Sequence, residues 1–554
     1  MHAITVTVKG QEPVVVAAGT RISELLPSVD GEGFPVLGAI VNNMVLPLFM
    51  PLVAEATLQP LTIHDPYGWN IYRTSLCFLL AKTAHELFPG IECRVRNAVG
   101  SGLYCTISWP DLSKGVVEGN VKKLQQAMRS AIRQDLPITM ETVSYEAAVK
   151  LFRQTGQVDK LNLLAHRNPP VICLARCGSF LELSQEPLVA RTVILELFDL
   201  IPHAQGFVLN VPTSSKPHEL PPLPPFEYLF KVYQEHIEWG RIVGITTVGQ
   251  LNQAILEKKA DDFVHTVEAL HDKKLGRIAD EIAQRQPRVR LVLVAGPSSA
   301  GKTTFSKRLV THLRVNGYKP ILLSTDNYFV GDARNPRDAA GKLDYEHIES
   351  MDLARLNSDL LRLMAGDAVH MRSFDFRKKE GYDQPEATQL PANGVIVMEG
   401  IHSLNPHLTS DVPREQKFLI YINALTQLGV DSSNRISTTD TRVIRRMVRD
   451  HQFRDRPAIE TLRMWSSIAR GEKRWIYPYQ HLADAVFNSA LDYELAVLKP
   501  LASPLLNQIK PWDEEYIEAR RLSGFLHNFS TLAPDVVPGD SILREYIGGS
   551  QLTY

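Results

Sequence analysis

Four apolar residues, Leu291 to Val294, precede a loop of small residues and the helix-like run FSKRLVTHLRVNG, predicting a buried strand, a turn and a helix. Short apolar runs (PILLSTDNYF, GVIVMEGIH) then alternate with helical stretches to about residue 500. This pattern predicts a doubly wound parallel sheet over 288–500. Upstream, Ala260, Phe263, Val264, Val267 and Leu270 recur at near-helical spacing, so 226–287 reads as a helical connector. The Pro-rich stretch VPTSSKPHELPPLPPF reads as a semi-rigid linker or wrap. Residues 1–64 alternate strand-like pieces (AITVTVKG, VVVAA, GAIVNN, ATLQPLTIHD) with turns and the helical ISELL, the layout of a small ubiquitin-like β-grasp domain. Residues 501–554 hold a helical piece, EEYIEARRLSGFLHNF, and a tail whose Ile542, Leu543 and Tyr546 predict docking rather than floating. The fold class expected is multidomain, α/β with α+β.

Composition narrows the function classes. The 554 residues are 44% apolar and 22% charged, enough for several cores. A net charge of −1 argues against a strongly basic nucleic-acid binder overall. No run of 18 apolar residues and no basic-then-apolar start occurs, which predicts a cytoplasmic protein without a membrane partner. The five cysteines (Cys77, Cys93, Cys105, Cys173, Cys177) lack zinc-knuckle spacing and read as buried free thiols. Cys173 and Cys177 would share one strand face.

The chemistry concentrates after residue 295. Gly296 and Gly301 bracket four residues and precede Lys302 and Thr303, satisfying G-x-x-x-x-G-K-[ST]. Such a loop wraps a phosphate closely and aims helix N–H groups at it, so Gly296, Ser298, Ser299, Ala300, Gly301, Lys302, Thr303 and Thr304 form the candidate nucleotide cradle. Lys302 would reach the outer phosphates, and the Thr303 hydroxyl would meet Mg²⁺. Asp326 and Glu399 end successive strands, where ligands bind in open α/β sheets. Asp326 could take a proton from a substrate hydroxyl or help hold Mg²⁺, and Glu399 suits Mg²⁺ as a hard oxygen ligand. In STTDTRVIRRMVRDHQFRDRP, Arg442, Arg445, Arg446 and Arg449 share one helix face, with Arg454 and Arg456 in a following lid. Beside a P-loop this basic stripe reads as a clamp on transferring phosphates.

The ordered set GPSSAGKTT, STDNYF, LDYEHIESMD, FDF, VIVMEGIH, the Arg-rich helix and LADAVFNSA resembles the uridine kinase and phosphoribulokinase family over about 200 residues. The resemblance implies phosphorylation of a small-molecule hydroxyl by ATP or GTP with Mg²⁺. Asp326 would be the base, with Thr303 and Glu399 around the metal. Lys302, Arg449 and Arg454 would act on the phosphates, and Arg446 and Arg456 would reach the acceptor. Asp344 matches the acid that holds ribose hydroxyls. Uridine–cytidine kinases carry a Tyr-Asp-Phe motif and a nearby His that read the pyrimidine. Here the motif is Phe374-Asp375-Phe376, and Lys379 stands at the His position. Phe374 can still stack on a base, but Lys379 is a donor only. A nucleoside is the first acceptor expected, with a sugar phosphate drawn by Lys379 as the alternative. A homo-oligomer is also expected.

Residues 1–64 resemble the TGS module that precedes threonyl-tRNA synthetases and several GTPases. Within 65–225, RTSLCFLLAKTAHELFPG and LARCGSFLELSQEPLV are similar to two segments of the synthetase editing domain. In that family two His on the helix converge with a Cys and a His on the second segment. The matching positions here are Thr74, Phe78, Ser184 and Leu188, which implies a scaffold without its hydrolytic site. A regulatory protein that binds RNA or nucleotide through the N-terminal half is the rival reading.

Overall fold

The computed structural model describes residues 2–184, 186–338, 341–375 and 378–553. The chain opens on a five-stranded sheet of β1 (Ala3–Val8), β2 (Val14–Ala17), β3 (Gly38–Val41), β4 (Met44–Leu46) and β5 (Ala56–Leu61), in the order β2-β1-β5-β3-β4. Only the β1–β5 pairing is parallel. Alternation in β1 sends Ile4, Val6 and Val8 into a core with Ile22, Leu52 and Leu58.

Helix α1 (Pro66–Leu87) leads into β6 (Cys93–Val99), β7 (Gly102–Ile107), α2 (Lys114–Arg133), β8 (Thr139–Ser144), α3 (Tyr145–Gln154) and α4 (Val158–Leu164). Strands β9 (Val171–Cys177), β10 (Phe180–Leu183), β11 (Asp199–His203) and β12 (Gly206–Asn210) complete two antiparallel sheets, β10-β9-β8 and β11-β12-β7-β6. The period of two along β9 divides its side chains between two cores. Ala175 and Cys177 pack with α1 and α2, whereas Ile172 and Leu174 join the core that runs into the C-terminal half. All five cysteines are unpaired; Cys105 and Cys177 are buried and the other three half-buried. Burial pushes the Cys77 and Cys93 thiols up to about 11 and about 12.

The Pro-rich stretch wraps this sheet, with Leu223 and Phe226 against Val99, Tyr104 and Val208. Helices α5 (Glu227–Val243), α6 (Val248–Leu256) and α7 (Ala260–Gln284) follow. Ala260, Phe263, Val264 and Val267 are core residues as their spacing predicts. Leu270 is only half-buried, and the helix buries His271 beside it.

The last sheet is parallel throughout and consists of β13 (Leu291–Ala295), β14 (Lys319–Ser324), β17 (Gly394–Glu399), β18 (Lys417–Asn423) and β19 (Ala485–Asn488), in the order β14-β17-β13-β18-β19. Helices α8 (Lys302–Val315), α9 (Leu353–Ala365), α10 (Thr438–Arg454), α11 (Ala458–Trp475) and α12 (Glu494–Leu506) accompany it. Apolar cores lie on both of its faces, since Val292 and Val294 belong to one and Leu291 and Leu293 to the other. A two-stranded ribbon, β15 (Ala368–Asp375) and β16 (Glu380–Gln389), stands beside the carboxyl end of β14. Helices α13 (Tyr516–Leu526) and α14 (Arg544–Ile547) finish the chain. The predicted docking of Ile542, Leu543 and Tyr546 is complete, for all three are fully buried.

The two halves are joined by charge as well as by apolar packing. Lys160 of α4 is wholly buried and meets Asp159 at 2.9 Å, Glu182 at 2.9 Å and Asp431 at 3.1 Å, the last from the loop after β18. Ser432 and Ser433 of that loop add hydrogen bonds to Asp159 and Glu182 (both 2.9 Å). Among the described residues no helix is long and apolar enough to cross a membrane.

Candidate active site

The crevice forms where the carboxyl ends of β13, β14 and β17 meet the start of α8. At Gly296 a Cβ would fall 2.1 Å from the Ile422 carbonyl oxygen, so only glycine lets the loop turn against β18. Gly301 has φ +84°, and α8 begins at the next residue. The Lys302 ammonium donates to the Pro297 carbonyl across the loop at 3.3 Å. Register puts Ser324 and Val294 opposite Glu399 on either side of β17. The Glu399 carboxylate accepts from Ser324 Oγ at 3.1 Å and from Thr303 Oγ1 at 3.4 Å.

Asp326 lies two residues beyond the end of β14 in a 3₁₀ turn over Thr325–Tyr328, and the residue is exposed. The protein packed around its carboxyl raises its pKa, while Lys302, Arg454 and Arg449 oppose the rise. Glu399 is pushed up to about 7, mainly by burial and then by the charge of Asp326. Unfolded, it would ionise near 4.5, so keeping it ionised in the folded chain is unfavourable above neutrality. Glu399→Gln is therefore expected to stabilise the protein by about 1–2 kcal/mol at pH 8 and by only about a quarter as much at pH 5. Thermal midpoints at the two pH values check this; no gain at pH 8 would mean the carboxylate is compensated.

The arginine stripe divides in two. Arg442 and Arg445 are 1% and 0% exposed, so they cannot clamp a phosphate as the spacing suggested. Arg442 is paired with Glu472 and donates to the Ser298 carbonyl at 2.8 Å. Arg445 is paired with Glu494 and donates to the Ser299 carbonyl at 3.3 Å. Both brace the P-loop from behind. Arg446, Arg449, Arg454 and Arg456 instead gather on the buried Asp450, at 3.2, 2.8, 3.6 and 3.8 Å. Arg446 also donates to Ser298 Oγ.

Two acids stand two residues apart in the turn that carries Asp344. Asp344 accepts from the Glu346 N–H at 3.1 Å, a local turn contact. Glu346 is the acid in the field of Arg446, Lys302 and Asp326, with burial and then Glu472 pushing it up to about 7. Phe374 packs against Phe329 with ring centroids 5.7 Å apart. Lys379 is tied to Asp332, which also accepts from Tyr345 Oη at 2.6 Å. Phe376 lies outside the described residues.

Sequence reasoning missed Glu346, Glu472 and Glu545. Glu472 accepts from the Ser298 N–H at 3.1 Å and from Tyr477 Oη at 3.0 Å. Glu545 touches the start of α8 from the chain's end. At the second site, Phe78 and Leu188 are buried in the core shared by α1 and α2, and Ser184 Oγ donates to the Glu186 carbonyl at 2.9 Å. Two of the four positions that would carry metal or hydrolytic groups, Phe78 and Leu188, are thus filled with apolar packing.

Threonine–tRNA ligase of Syntrophotalea carbinolica is 26% identical over 165 residues, 30% of this chain and 26% of the ligase. That of Nitrosococcus oceani is 30% identical over 165 residues, 30% of this chain and 25% of the ligase. The chain therefore spans only about a quarter of these relatives' own length. A solved D-glycerate 3-kinase from Cryptococcus neoformans var. grubii is 14% identical with a TM-score of 0.22, covering 48% of this chain and 89% of that one. Residues 291–496 match the profile described as the Phosphoribulokinase / Uridine kinase family. Residues 291–496 are thus similar to that kinase family, behind an N-terminal region similar to part of the threonine–tRNA ligases.

Proposed function

We propose that the protein is an ATP-dependent kinase that phosphorylates a hydroxyl of a nucleoside-like small molecule. The observation that carries this reading is the meeting of Lys302, Asp326, Glu399 and the Asp450-bound arginines at one crevice. In this reading the loop from Gly296 to Thr304 holds the donor phosphates, and Lys302 turns from the Pro297 carbonyl to the outer ones. Asp326 takes the proton from the acceptor hydroxyl, a role that its raised pKa suits. Arg449 and Arg454, whose charges already act on Asp326, meet the charge spreading over the transferred group.

Among the described residues no three His, Cys, Asp or Glu converge as a metal cage. The Thr303 hydroxyl and Glu399 carboxylate are instead a pair of hard oxygen donors, which fits Mg²⁺ completing its shell with phosphate and water. Bound there, Mg²⁺ would supply charge neutralisation on the phosphate oxygens.

For the acceptor, Glu346 is the group suited to hold ribose-like hydroxyls, in place of Asp344, and Phe374 beside Phe329 offers a face for a flat base. Pairing of Lys379 with Asp332 weighs against a second phosphate there. Lys302→Ala is expected to abolish ATP turnover across a panel of nucleosides and sugar phosphates. Unchanged turnover in that variant would overturn the kinase reading.

A further inference from the structure

The C-terminal tail lies on the phosphate cradle. Ile542 covers Gly301, where an added Cβ would fall 2.5 Å from Ile542 Cγ2. Tyr546 Oη donates to the Ser299 carbonyl at 3.0 Å, and Arg445 lies 5.1 Å over the Tyr546 ring. Lys307, on α8, donates to the Thr553 carbonyl. Between these anchors, the Glu545 carboxylate accepts from the Thr304 hydroxyl at 2.8 Å and from the Thr304 N–H at 3.3 Å. Thr304 directly follows the Lys302-Thr303 pair, so its N–H and hydroxyl belong to the set that faces a nucleotide's phosphates. One carboxylate oxygen thus makes both contacts that a phosphate oxygen would make at that position.

The parts of the tail differ in freedom. Ser541, Ile542, Leu543 and Tyr546 are fully buried, whereas Glu545 is only half-buried. The backbone is therefore anchored and the carboxylate arm can swing. Arg449, Arg445 and Lys307 are cations whose charges act on Glu545.

We propose that Glu545 is a built-in phosphate mimic that sets donor affinity: its carboxylate holds Thr304 in the free protein, and the donor's inner phosphate displaces it. The inference rests on reading the P-loop as the donor site. Two anions cannot share one N–H and one hydroxyl, so the donor binds only the fraction of molecules in which Glu545 has moved. The chain then discriminates between ligands that reach Thr304 with a charged oxygen and those that do not.

The test is calorimetric titration of the full chain with Mg·ATP, without acceptor, for the parent, Glu545→Gln, Glu545→Ala and Lys302→Ala. Removing the charge is expected to tighten ATP binding about tenfold in both Glu545 variants. Lys302→Ala is expected to weaken binding. Unchanged or weaker binding in folded Glu545 variants, with Lys302→Ala still weakened, would overturn the mimic and leave the donor site standing. If Lys302→Ala binds ATP like the parent, the donor site itself is wrong and the mimic falls with it. Thermal melts establish folding, and either Glu545 variant suffices if the other fails to fold.

Discussion

Replacing Asp326 with asparagine is expected to lower kcat by about 10²–10⁴-fold, the usual contribution of a positioned general base, with ATP affinity nearly unchanged. Asparagine keeps the size and the hydrogen-bonding oxygen but cannot accept the proton. The prediction follows from the place of Asp326 in the crevice. Surrounding protein raises its pKa, while the charges of Lys302, Arg454 and Arg449 oppose the rise. Single-turnover kinetics with an acceptor nucleoside, beside calorimetry for ATP, separates the two effects. Turnover within tenfold of the parent would mean that the proton leaves by another route.

The largest loss of stability is expected for Lys160→Met. Its ammonium sits among Asp159, Glu182 and Asp431, and all three would be left close together without their cation. Breaking a buried pair by removing one partner typically costs about 3–5 kcal/mol. Burial and the neighbouring carboxylates act oppositely on Lys160, and the carboxylates prevail, holding it charged well above the usual lysine range. Because Asp431 comes from the C-terminal half, loosening should spread to both sides of the junction. Urea denaturation monitored on both halves checks this; a loss under about 1 kcal/mol would mean that the acids take up protons instead.

The sequence carried the motif-bearing parts of this molecule because their constraints are local. A phosphate loop needs glycines at fixed offsets, so Gly296, Gly301 and Lys302 were legible, and strand-end placement found Asp326 and Glu399. Helical spacing put Arg442, Arg445, Arg446 and Arg449 on one face. It could not tell that the first two meet Glu472 and Glu494, from segments 30 and 49 residues away. Asp344 and Glu346 differ by two positions in a turn without regular period, where only the folded chain decides which acid faces the crevice. Glu545 was out of reach because 241 residues separate it from Thr304. The apolar filling at Phe78 and Leu188 was legible, since the expected ligands were absent from the sequence itself.

The two guanidinium groups behind the P-loop also govern when its freedom is lost. Hydrogen bonds from Arg442 and Arg445 pin the Ser298 and Ser299 carbonyls as soon as the chain is folded. The conformational entropy of the cradle is therefore surrendered during folding, not when a phosphate arrives. Donor binding should accordingly show a small ordering penalty from the loop, with most of it arising from Arg449, Arg454 and Arg456. These share the single Asp450 carboxylate and keep rotamers to lose. The cradle is a preset mould, and the arginines are the part that closes around what it holds.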